Sequence, residues 1–147
     1  MNLEKADDEE KALTTETLKK CLEDKDVGVR REGLLALVRM KEEIGKETAV
    51  KWLLLDDMDD VKDLAIRCVH ELGLKEHIPA IREYLKSEDE VVKIAAIVAL
   101  SQWGDEESRP AFEEAAKSKS LRLRRAGQRA LIELHSSRSP RPIIHRG

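Results

Sequence analysis

Apolar and polar positions along this chain repeat in a pattern that returns about every thirty residues. Four nine-residue stretches share it: Val29 to Leu37, Val61 to Val69, Val92 to Leu100 and Leu123 to Leu131. Their starts, 29, 61, 92 and 123, are separated by 32, 31 and 31 residues. Each opens on an aliphatic residue followed by a basic one, Arg30, Lys62, Lys93 or Arg124. Positions four and eight beyond the start are apolar or small in every copy, and position seven is Ala36, Cys68, Ala99 or Ala130. That spacing lays one apolar face along a helix of 3.6 residues per turn. The small residues Gly33, Ala65, Ala96 and Gly127 at position four predict close approach to a second helix.

That second helix is legible upstream. Leu18, Val50, Ile81 and Phe112 stand eleven residues before the four starts, and Leu22, Leu54, Leu85 and Ala116 stand seven before. Pro79 and Pro110 share one phase, early in this helix, where a missing N–H and a fixed φ cost little. Acids and glycines mark the turns, among them Asp24 to Asp26, Asp56 to Asp60, Gly73 and Gly104-Asp105. No stretch alternates as a strand does, so the fold class is all-α. Repeats of this length bury their apolar faces only against their neighbours. The expected architecture is a right-handed α-α superhelix of about four helical hairpins. It divides into an acidic lead at 1–12, repeats at about 13–43, 44–74, 75–105 and 106–135, and a basic tail at 136–147 expected to be disordered.

The motif V-[RK]-x-x-[AG]-hydrophobic-x-[AC]-hydrophobic resembles the second helix of a HEAT repeat. More narrowly, it is similar to the short HEAT-like variety first associated with phycobilisome lyases. The resemblance implies a non-catalytic scaffold that binds proteins through the concave face lined by its second helices. It also implies that the basic residue of each motif bonds acids in neighbouring inter-helix turns, for which Asp26, Asp57, Asp59 and Asp89 are candidates. The tetratricopeptide and ankyrin signatures are absent.

Charge changes the picture at one end. The chain carries 27 Lys and Arg against 30 Asp and Glu, a net −3. Residues 117–147 hold nine Lys or Arg and one acid, Glu133, so this stretch is +8 and the remainder −11. Arg122, Arg125 and Arg129 read first as the solvated face of a terminal helix, and second as a surface for an acidic partner or another copy of the chain. No apolar run approaches membrane-spanning length, Met1 to Thr15 shows no secretory core, and Cys21 and Cys68 read as reduced thiols. A cytoplasmic location is expected.

Catalytic chemistry is sparse. His70, His77, His135 and His145 fall into no metal-ligand spacing, and there is no Cys-x-x-Cys, phosphate loop or nucleophile elbow. The His70-Glu71 pair resembles the iron-binding pairs of the deoxyhypusine hydroxylases, but Val38, Ser101 and Ile132 occupy the matching positions. No cofactor and no metal are expected, and no enzymatic activity. A lyase- or hydroxylase-related enzyme component is the weakest alternative, after a nucleic-acid-associated protein using the basic C-terminal end.

Two surfaces are candidates for a partner. In the second repeat Trp52, Leu55 and Met58 replace polar residues at one helical stripe, predicting an exposed contact patch unless Leu3 and Ala6 of the lead fold over it. On the second helices, positions two, six and nine are expected to face outward. They bring Arg31, Leu35 and Val38, then Asp63, Arg67 and His70, then Ile94, Val98 and Ser101, then Arg125, Arg129 and Ile132. A mixed face of aliphatics and arginines suits an acidic or amphipathic segment of another protein, with self-association as a second use.

Overall fold

The computed structural model describes residues 3–55 and 58–138, with side chains from 9 to 137 except 13. Among them every regular element is helical: α1 (Leu3–Cys21), α2 (Val27–Arg39), α3 (Glu43–Leu54), α4 (Lys62–Glu71), α5 (Ile78–Glu83), α6 (Glu90–Gln102), α7 (Arg109–Ala116) and α8 (Leu121–Arg138), with four short 3₁₀ turns. The all-α expectation holds, and the helices pack as adjacent pairs. The chain divides into two compact units, Met1–Gly73 and Leu74–Gly147, each made of two hairpins. Residues 3–12, expected to lead into the first helix, belong to α1 itself, since nothing in that Glu-, Lys- and Ala-rich stretch breaks a helix. Most of the tail, Ile143 and Ile144 included, lies outside the described residues.

In the first unit α1 pairs with α2 and α3 with α4, and α2 also packs on α3. Leu34, Leu37, Ala49, Leu53, Leu64, Ala65, Ile66 and Val69 form its buried core. In the second unit α5 and the turn after it pack on α6, α7 pairs with α8, and α8 also packs on α6. Ile81, Ala96, Ile97, Leu100, Phe112, Ala130 and Leu134 are buried there. The hairpins close where small residues were expected. A Cβ on Gly127 would stand 2.4 Å from Ala116 N and 2.7 Å from Phe112 O, so only a bare backbone fits between α7 and α8. Pro79 and Pro110 occupy the first turns of α5 and α7.

The position three before each motif is the N-cap of a second helix. Asp26 accepts from Gly28 N at 2.7 Å and Val29 N at 3.2 Å, while Asp89 accepts from Val91 N at 2.9 Å and Val92 N at 3.3 Å. Ser120 accepts from Leu123 N at 3.3 Å. These side chains satisfy orphan helix donors. The second repeat has Met58 here, and α4 instead follows a 3₁₀ turn, Asp59–Val61, with no side-chain cap.

The 32-residue spacing of this repeat goes with a shifted burial phase in α3. Ala49 and Leu53, fully buried, take the places of Leu18 and Leu22, while Leu54 is 54 % exposed. In this phase Trp52 aligns in the repeat with Cys21 and Ala115, and it is buried.

Candidate functional site

Trp52 is 3 % exposed, where the sequence predicted an exposed side chain. It forms a wall of a cleft of about 680 Å³ beside Leu22, Ile44, Thr48 and Met58. Leu55 remains exposed beyond the end of α3, and Met58 is half-buried. Of the three, only Leu55 is exposed. Leu3 and Ala6, the proposed cover, lie outside the described side chains.

The basic motif residues follow the expectation in part, Arg30 reaching an acid of the next inter-helix turn while Lys62 and Arg124 bond carbonyls. Lys62, almost fully buried, donates from Nζ to the carbonyls of Trp52 at 2.6 Å, Leu53 at 3.0 Å and Leu55 at 2.5 Å, closing the C-terminal end of α3. Arg124 Nη1 donates to Ser118 O at 3.1 Å, just past α7. Arg30 donates to Asp24 O at 3.4 Å and to Asp60 Oδ2 at 2.5 Å in the turn of the next repeat. Lys62 thus caps the last carbonyls of α3, where the helix dipole favours a cation, while Arg30 and Arg124 bond carbonyls in the turns that follow α1 and α7. Asp26 and Asp89 are occupied as N-caps, and Asp57 lies outside the described residues.

On the second-helix face of the first unit, Arg31 of α2 grips Asp63 of α4 with both guanidinium nitrogens at 2.9 Å, and Nη1 also reaches Asp60 O at 3.1 Å. Both residues occupy position two of their motifs, so the rung between layers is built there. Burial works upward on Asp63, but the Arg31 bonds, with Arg67 nearby, hold its carboxyl below the usual range. Arg67 is exposed, with Nη2 3.9 Å from Asp63 Oδ2. Leu35 and His70 are half-buried, and burial pushes the His70 imidazole down against the pull of Glu71. Beneath them, burial raises the Cys68 thiol to about 11, so it is no thiolate nucleophile at neutral pH. Both cysteines are free thiols.

In the second unit Val98 of α6 is 41 % exposed, Ile94 is half-buried, and Arg125 and Arg129 of α8 are exposed. Position nine departs from expectation: Val38 and Ser101 are buried, because this position leans toward the following layer. Sequence reasoning missed a second bidentate pair, Arg82 with Asp105. Arg82 Nε donates to Oδ2 at 2.8 Å and Ser108 Oγ to the same oxygen at 2.5 Å, and these bonds lower the Asp105 carboxyl against the upward effect of burial. Asp105 beside a turn glycine had read only as punctuation.

Among the described residues no group of three or more His, Cys, Asp or Glu could hold a metal ion, and no helix is long and apolar enough to cross a membrane. The family model for HEAT repeats matches residues 47–132, more than half of the chain. No curated protein matches it.

Proposed function

This chain belongs to the HEAT-repeat family, and on that premise we propose that it is a non-catalytic scaffold holding another protein on the outward positions of its second helices. HEAT repeats generally serve as protein-interaction surfaces, and such stacks bind by presenting preplaced side chains on a rigid backbone. The observation that carries the reading is the exposed aliphatic Val98 on α6, with half-buried Ile94 on the same helix and exposed Arg125 and Arg129 on α8, which packs against it. In the first unit Arg67, Leu35 and His70 repeat the mixture, with Arg31 held in place by Asp63. Arginines around an aliphatic centre fit an acidic, amphipathic helix or peptide. The short spacing of 31 and 32 residues favours the phycobilisome-lyase-type variety, in four copies.

The test is binding of the native partner by variants that place an acid on this face. Val98→Glu and Arg67→Glu each change an exposed side chain, so both keep the wild-type circular dichroism while losing at least tenfold in affinity for the protein that co-purifies with wild type. Undiminished binding by both variants rejects the face. A second reading, capture of nucleic acid by Arg122, Arg125 and Arg129, draws on their common exposure on α8. It requires affinity for a labelled duplex that falls steeply with salt; no binding at low salt removes it.

A further inference from the structure

Layers inside each unit meet through fixed motif positions. The leading positions are zero and seven: in the second repeat, which has a layer before it in its own unit, Val61 and Cys68 are each 1 % exposed. The trailing positions are five, eight and nine: in the first repeat, which has a layer after it, Leu34, Leu37 and Val38 are buried. Ile97, Leu100 and Ser101 are buried in the third repeat for the same reason.

Two copies of these positions stand open. In the first repeat Val29 is 36 % exposed and Ala36 is half-buried. They line a shallow groove of about 550 Å³ on the α1–α2 hairpin with Leu18 and Gly33, and among the described residues its charged lining is Asp26 and Glu32. In the fourth repeat Gln128 is exposed, Leu131 is half-buried and Ile132 is 66 % exposed, on a helix that also exposes Arg122, Arg125 and Arg129. One surface is a leading half and the other a trailing half of the interface that this chain already builds between its own layers. Their charges are opposite.

We propose that two copies of this chain associate through these unlike faces, the α1–α2 groove of one receiving α8 of the other. The contact is heterologous, so each copy brings one face of each kind. Gln128, where the other repeats carry Leu34, Ile66 and Ile97, weakens it relative to an internal layer and makes it reversible. The acidic groove and basic helix make it sensitive to salt.

Sedimentation of the full chain across a concentration series tests this. Wild type gains mass with concentration at low salt and loses it as salt is added. Val29→Glu and Ile132→Glu each remain monomeric with unchanged circular dichroism. An equimolar mixture of the two forms a complex of twice the monomer mass, since one variant keeps its α8 face and the other its groove. A wild type that stays monomeric at every concentration overturns the proposal, as does association that persists in both variants. A mixture that stays monomeric, although each variant alone is folded, also overturns it.

Discussion

Lys62 shows how one side chain serves a whole hairpin here. Its ammonium lies among three carbonyls at the end of α3, in a position from which the sequence predicts a bond to an acid of a neighbouring turn. Methionine would keep the volume but leave those carbonyls without this donor, and an unsatisfied buried polar group costs about 1–3 kcal/mol. Lys62→Met is expected to lose about 3 kcal/mol in urea unfolding, with Lys62→Arg intermediate. Asp63 carries a second residue-scale expectation. Its folded carboxyl is depressed, so its contribution is present above the ordinary carboxylate value of about 3.9 and is lost as pH falls through the lower folded value. Thermal melts should therefore show wild type more stable than Asp63→Asn at pH 7, with the gap closing toward pH 2. A gap independent of pH would contradict the ion pair.

At the scale of elements, helix ends and helix spacing follow from a few backbone requirements. The second helices α2, α4 and α6 are followed by equivalent left-handed positions, Lys41, Gly73 and Gly104, with φ of 57°, 70° and 70°. Lysine adopts this region at a cost of about 1 kcal/mol, so Lys41→Gly should raise stability by about 0.5–1 kcal/mol despite glycine's greater unfolded-state entropy. In the α7–α8 hairpin the opposite change should hurt. Gly127→Ala gains about 1 kcal/mol of helix propensity, but its Cβ meets backbone at 2.4 Å and 2.7 Å, where nothing flexible can yield. A net loss of about 1–2 kcal/mol is expected on chemical unfolding, larger than for Gly33→Ala, whose closest obstacle is the Cys21 side chain at 2.8 Å. The hairpins and these small residues were legible because helical period and repeat period reinforce each other. The phase of α3 was not. One extra residue between 29 and 61 can sit anywhere in that interval, and apolar Leu54 filled the expected slot while Ala49 and Leu53 took the core. Trp52 is buried in that phase, not exposed as a constant spacing predicts.

For the whole molecule, the repeat fixes what is buried more firmly than what binds. Position one was expected to bond acids and mostly bonds carbonyls; position two was expected to face a partner and in the first unit forms the Arg31–Asp63 rung instead. Both outcomes depend on reach across a turn or a layer, which spacing along one helix does not encode. At position six Arg67, Val98 and Arg129 are exposed and Leu35 is half-buried. The central claim, that a protein partner lies on the second-helix face, is tested most directly by photo-crosslinking in the source cell. A benzophenone side chain placed at Val98 should capture a protein that the same group at Glu113, exposed on first helix α7, does not. Equal capture from both positions, or capture from Glu113 alone, would contradict the account.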